Sequence, residues 1–424
     1  MRETTNTVVI GAGQAGLAVS RCLTARGIEH VVLDRGRVAE RWHSERWDSL
    51  RLLTPNWMTR LPGSCYDGPD PDGFMTASET ARFFDRYAAR IAAPVREHAE
   101  VVDVASADGG FCVTTTAGTL SAANVVIATG WCDRPATPAA AADLAPRINQ
   151  VTPNAYRNPH QLAPGGVLVV GASATGVQLA DEFHRAGRRV MVAVGSHQRM
   201  PRTYRGMDCF WWLDQLGVWD RTIDEVDDAR AARAEPALQL VGRPDHATLD
   251  LHVLQRRGVE LVGRLAGAEG TTVHFRPDLA ATTTEADARL SRLLPRIDRA
   301  IEACGLAGEV LPAEPVRAVR VSTPPEAVDL AAAGITNVVW ATGYRRSYPW
   351  LRLPILDRRG EIAQYRGVTH VPGAYVLGQR FQHFRNSNFI DGVGRDAGHV
   401  AALIAARSTR RDGAALHDQI GGRS

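Results

Sequence analysis

Val8-Val9-Ile10-Gly11-Ala12-Gly13-Gln14-Ala15-Gly16 stands near the start of the chain, and Val167-Leu168-Val169-Val170-Gly171-Ala172-Ser173-Ala174-Thr175-Gly176 repeats its pattern further on. Each copy follows a short apolar run and opens an amphipathic stretch. In that context the glycines mark a strand, a tight turn and a helix whose N-terminus can hold a pyrophosphate. Laid over one another, Gly11 meets Gly171, Gly16 meets Gly176 and Gly27 meets Gly187. Two such units predict an α/β protein with two Rossmann-like domains, each holding a dinucleotide.

Composition sets the outer bounds. The chain has 424 residues, of which 45% are hydrophobic and 22% charged, values of an ordinary globular protein with two or three domains. The formal charge is +3, so no net field points to nucleic acid. Every basic side chain other than histidine is arginine; the absence of lysine excludes Schiff-base chemistry and a P-loop lysine. No apolar run reaches the roughly 20 residues a membrane helix needs, and no signal peptide fits ahead of the first strand, so a cytoplasmic location without membrane contact is expected. The cysteines Cys22, Cys65, Cys112, Cys132, Cys209 and Cys304 include no CxxC pair, which speaks against a redox dithiol or a zinc site. The histidines show no HExxH spacing, and no metal is expected.

In the first unit Asp34 ends the second apolar run, where a carboxylate accepts both hydrogen bonds of a ribose diol, as in the AMP half of FAD. In the second unit the matching position is Val194, followed by Gly195-Ser196-His197-Gln198-Arg199. The acid is missing, and Arg199 and Arg202 stand just beyond, where guanidinium groups could grip a 2′-phosphate. That pattern points to NADPH rather than NADH. Ser173 replaces the middle glycine and narrows the approach of backbone to pyrophosphate.

The paired fingerprints, the strand ends Ala128-Thr129-Gly130 and Ala341-Thr342-Gly343-Tyr344, Pro349-Trp350-Leu351 and Tyr375-Val376-Leu377-Gly378 together resemble the flavin-containing monooxygenase superfamily, over nearly the whole chain. The resemblance implies two nested domains: an FAD domain from residues 1–150 and 331–424, with an inserted NAD(P)H domain at 151–330 whose later part sets the substrate. It implies FAD on Gly11, Gly13, Gly16 and Asp34, with Arg41 and Trp42 bordering the flavin and the backbone at Gly378 and Gln379 approaching it. NADPH would lie on Gly171, Ser173 and Gly176. The family's chemistry is reduction of FAD by NADPH, reaction with O2 to a C4a-(hydro)peroxyflavin, and transfer of one oxygen atom to a small organic substrate. A homodimer is compatible with this reading.

Departures accompany the resemblance. The family's linker motif FxGxxxHSxxY has Thr152 and Pro153 where its His and Ser stand, though Tyr156-Arg157-Asn158-Pro159 keeps the end of the pattern. This weighs against a Baeyer–Villiger reaction. Asn56, in Thr54-Pro55-Asn56, is a shifted equivalent of the family's flavin-side asparagine. His383 and Arg385, in the loop after Gly378, are the candidates for touching substrate or activated oxygen. Trp211 and Trp212 either line a substrate mouth or pack under the insertion. Two other functions stay open: a flavin reductase passing electrons to ferredoxin or a quinone, and a nucleotide-binding protein without turnover.

Overall fold

The computed structural model describes residues 3–321 and 323–421. The first half of the chain lays down β1 (Glu3–Ile10), α1 (Gln14–Thr24), β2 (His30–Leu33), α2 (Ala77–Arg90), β3 (Val95–Arg96), β4 (Val101–Ala107), β5 (Gly110–Thr115) and β6 (Gly118–Ile127). These strands form one sheet in the order β3-β2-β1-β6-β5-β4. β1 is parallel to both neighbours, pairing Val9 with Val32 and with Val126. It is covered on both faces, which explains its unbroken apolar run at Val8-Val9-Ile10.

β6 forks. Its first half pairs antiparallel with β5, and its second half pairs parallel with a strand from near the end of the chain, Ala374–Val376. α1 then packs against the C-terminal helix, Val393–Gly421, so the end of the chain closes the first domain.

The second sheet is all parallel. Its strands are β7 (Asn149–Val151), β8 (Gly166–Val170), β9 (Val190–Ala193), β10 (Glu260–Val262) and β11 (Ile335–Trp340), in the order β7-β11-β8-β9-β10. α3 (Ala174–Arg185) joins β8 to β9. After β9 come α4 (Cys209–Gln215) and α5 (Leu279–Ala303), which buries Leu290, Ile297 and Ile301 as its periodicity predicts. Trp212 packs on Ile297 and Ile301 and donates to the Tyr204 carbonyl at 2.7 Å, so it is a packing residue.

One expected boundary is corrected here. The strand near 338–343 was expected to return to the first domain, but β11 lies between β7 and β8 of the second sheet. An apolar strand without a fingerprint does not specify its sheet; Asn337 does. Fully buried, it donates to the Ala163 carbonyl at 2.9 Å and accepts from Asn149 at 2.9 Å. Of the two late strands only β12 (Ala374–Val376) completes the first sheet, and the second domain therefore extends past residue 330 to β11. α6 (Val393–Gly421) follows it. Among the described residues no helix is long and apolar enough to cross a membrane.

Both glycine turns are held by backbone contact. A methyl on Gly16 would collide with the Gly11 carbonyl, and one on Gly176 with the Gly171 carbonyl. Gly16→Ala and Gly176→Ala are each expected to destabilise the protein by about 1–3 kcal/mol through overpacking, read as a lower urea midpoint at unchanged slope.

Candidate functional site

The end of β1 meets the end of β2 at the first turn. Asp34 accepts from the Ala12 N–H at 2.7 Å and the Gly36 N–H at 2.9 Å, which fixes its carboxylate beside the glycine turn. Nothing lies within 4 Å of a Cβ built on Gly13, so the turn opens onto free space at the N-terminus of α1. Such a cradle suits a pyrophosphate. Arg41, on a short helix at Glu40–Ser44, pairs with Asp133 at 2.6 Å and keeps Nη1 buried without a partner. Gln379, just past β12, likewise has a buried Nε2 without a partner. Gly378 takes φ +80° and packs against Ala15 of α1. The unspent donors of Arg41 and Gln379 suit an FAD, which they would hold together with Gly13 and Asp34.

The second turn copies the first. Gly171 adopts φ +111° as Gly11 adopts φ +108°. Ser173 occupies the N-cap of α3 without making a capping bond, and it faces a cavity of about 800 Å³ between the domains. Gly171, Thr175, Gly195 and Ser196 line this cavity from the second domain. Gln14, Trp42, Trp131 and Arg380 line it from the first. The second turn thus faces this space directly, and Gln14, the first residue of α1, reaches it from the first unit. Gln14 also donates to the Asn388 carbonyl at 2.8 Å, tying the first fingerprint to the loop after β12.

Four expected roles are corrected. Arg199 is buried, paired with Asp250 at 2.6 Å and with Asp287, and bonded to the Arg317 carbonyl. Arg202 is fully buried between Phe74 and Phe210, with its charge on Asp208 at 2.5 Å and a bond to the Leu53 carbonyl at 2.7 Å. Neither is free to hold a 2′-phosphate. Asn56 spends its amide on its own loop, donating to the Asp70 carbonyl at 2.9 Å and accepting from the Met75 N–H at 2.8 Å. His383 stacks on Phe384 with centroids 4.0 Å apart and lies outside the cavity lining, its Nδ1 3.8 Å from Asp396. Arg385 does line the cavity, ion-paired with Glu235.

Arg264, which faces Asp278 at 3.6 Å, also comes close to this second turn. It projects from the turn after β10, partly exposed, and donates to Ser196 at 3.2 Å beside Gly195. No sequence signal ties this residue to the fingerprint, because it arrives from a later strand. The retained Tyr156 and Arg157 of the linker have structural work: Tyr156 donates to Glu182 on α3 at 3.1 Å, and Arg157 bonds the Ser44 carbonyl of the first domain.

Behind the cavity loop, Asp396 is 1% exposed and neither of its oxygens has a hydrogen-bond partner. Burial pushes its carboxyl up to about 7. Burial, then the nearby Arg366, pushes the His383 imidazole down to about 4.

Two dinucleotide turns with one cavity between their domains define a flavin-dependent oxidoreductase that works with FAD and a pyridine nucleotide. Residues 8–206 match the pyridine nucleotide-disulphide oxidoreductase family model. A CzcO-like uncharacterized oxidoreductase of Geobacillus kaustophilus is 31% identical over 404 residues, covering 94% of this chain and 98% of that protein. The chain belongs to the CzcO-like oxidoreductases, within the flavin-containing monooxygenase superfamily that its motifs resemble. A probable indole-3-pyruvate monooxygenase of Arabidopsis thaliana, YUCCA4, is 29% identical over 224 residues, half of each chain (50% and 52%). The fold matches a flavin-containing monooxygenase of Stenotrophomonas maltophilia with a TM-score of 0.65 at 19% identity, covering 96% and 99% of the two chains.

Two predictions rest on this geometry. Gly13→Ala meets open space in the protein and is expected to leave the apoprotein's stability within about 0.5 kcal/mol, yet to weaken FAD retention at least tenfold on dialysis. The second concerns acid. Asp396 binds its proton more tightly folded than unfolded, so its contribution is present at low pH and is lost as pH rises through about 7. His383 does the reverse, losing its contribution as pH falls from its ordinary value toward 4. His383→Gln should therefore be less stable at pH 7 than at pH 5, and Asp396→Asn less stable at pH 5 than at pH 7. Urea midpoints at both pH values check this, with slopes up to about 1.4 kcal/mol per pH unit.

Proposed function

We propose that this protein is an NADPH-consuming flavin monooxygenase, placing one atom of O2 on a small organic substrate. The observation that carries the reading is one cavity lined by the second nucleotide turn, by Gln14 at the start of α1 and by apolar side chains of both domains. A hydride can pass between cofactors there, and an organic molecule can be held away from bulk water. Bound FAD, once reduced, supplies the oxygen-activating chemistry; the chain's residues bind, orient and exclude water. The monooxygenase named among the relatives supports this reading. So does the thiol inventory: Cys132 is the only cysteine in the cavity lining among the described residues, so no dithiol stands ready to relay electrons.

Thr152 accepts turn hydrogen bonds through its carbonyl and offers a hydroxyl in place of the family's linker imidazole, while Pro153 lines the cavity without the hydroxyl of the family's Ser. The reading is therefore oxygenation of a soft or activated centre rather than Baeyer–Villiger insertion. Arg264 and Ser196 recognise the 2′-phosphate of NADPH in this account.

The FAD-loaded protein, reduced anaerobically with NADPH and mixed with oxygenated buffer, is expected to show a blue-shifted flavin species lasting seconds by stopped flow. Immediate return to oxidised flavin with stoichiometric peroxide, unchanged across a substrate panel, would move the assignment to an electron-transferring reductase. Arg264→Ala should raise KM for NADPH by about 10- to 100-fold, the loss of one charge-assisted contact, and leave KM for NADH nearly unchanged.

A further inference from the structure

The cavity between the domains has a second character, in its charge. Three cations line it, Arg296, Arg380 and Arg385, and no carboxylate does so among the described residues. Two of the three are accounted for. Arg385 is ion-paired with Glu235, and Arg296 stands exposed on α5 at the rim. Arg380 is different. Its guanidinium lies over the Trp131 ring at 5.1 Å and donates to the Glu235 backbone carbonyl, and it has no carboxylate partner among the described residues. Burial and the neighbouring Arg385 hold its pKa below the ordinary arginine value. A guanidinium kept in a partly desolvated space, whose neighbouring carboxylate Glu235 is already ion-paired with Arg385, is an incomplete pair, and a planar carboxylate is the group its fork geometry matches.

Part of the same cavity's wall is aromatic. Phe210 and Trp219 stack with centroids 5.4 Å apart, Phe389 closes on Trp219 at 5.5 Å, and Leu213 and Leu293 complete the surface. Phe210, Leu213 and Trp219 of this wall come from the segment around α4, which the loop after β12 grips: the Ile223 N–H donates to the His383 carbonyl at 2.7 Å, and Arg385 N–H to the Arg221 carbonyl at 3.0 Å. A cation and an aromatic wall lining one cavity describe the occupant.

We propose that the cavity takes a small organic carboxylate with an aromatic-sized apolar body, its carboxylate on Arg380 and its body against Phe210, Trp219 and Phe389. The inference rests on the monooxygenase reading, since it names that site's substrate class. The NADPH phosphates do not compete for this cation, since their turn lies at the N-terminus of α3 in the second domain whereas Arg380 follows β12 in the first; FAD belongs to the first turn and is already bound in the titrated protein.

Binding tests this without any oxygen chemistry. The FAD-loaded protein, saturated with NADP+ so that the nucleotide sites are filled, is titrated calorimetrically with 3-phenylpropanoate, its methyl ester and 3-phenylpropan-1-ol. The acid is expected to bind at least 10-fold more tightly than the alcohol or the ester, the scale of one charge-assisted pair. Arg380→Gln should erase that preference, Arg380→Lys should keep part of it, and Phe389→Ala should weaken acid and alcohol alike. The flavin midpoint potential of Arg380→Gln should match that of the wild type. Equal binding of acid and ester to the wild type would overturn the proposal, and needs no variant to fold. So would a preference that survives Arg380→Gln, or a shifted potential with acid binding intact, which would assign Arg380 to the flavin. If the acid binds as expected and no oxygenation is found by stopped flow, the monooxygenase reading fails while the anion site stands.

Discussion

The backbone-to-backbone contact at the two glycine turns governs the rest of this structure. At Gly16 and Gly176 the helix lies so close to the preceding turn that a single methyl would strike a carbonyl oxygen. That closeness aims the N-terminal N–H groups of α1 and α3 at the space beyond the strand ends. Where those N–H groups point, a pyrophosphate can sit. Once both turns are made, the remaining problem is to set them face to face. The linker does so by crossing between the domains: Tyr156 is tied to α3, and Arg157 to the segment beside Arg41.

Arginine does the fastening elsewhere. With no lysine available, guanidinium groups pin the insertion to the first domain. Arg202 is the extreme case, sandwiched between Phe74 of one domain and Phe210 of the other while bonded to Asp208 and the Leu53 carbonyl. Breaking a buried pair of this kind leaves an uncompensated charge, so it holds the two parts in one register. The aromatic wall of the cavity stands on that fastening. Shape for a substrate and rigidity of the domain contact therefore come from the same side chains.

The nucleotide-binding architecture was legible because each fingerprint is local: strand, turn and helix follow one another within a dozen or so residues. Asp34 was legible for the same reason, standing at the end of the next strand. Features that depend on which distant segments meet were not. The apolar run of β11 carries no label for its sheet, and buried Asn337 settles that only through partners far away in sequence. Arg199 and Arg202 stood where a 2′-phosphate ligand would be sought, but Asp250, Asp287 and Asp208 claim them, while Arg264 reaches Ser196 from the turn after another strand. The loop after Gly378 reaches the cavity with several of its residues. Within it, a loop without periodicity does not reveal which side chains face inward: Arg380 and Arg385 line the cavity, and His383 turns to Asp396.

Two nucleotides bound in one cavity would lie close enough for direct hydride transfer. The direct measurement is the absorption spectrum of the NADPH-reduced, FAD-loaded protein under anaerobic conditions, followed while NADP+ remains bound. Stacking of nicotinamide against reduced flavin predicts a broad long-wavelength charge-transfer band that disappears when NADP+ is removed. NADP+ that binds by calorimetry yet leaves the reduced flavin spectrum unchanged would contradict the shared cavity.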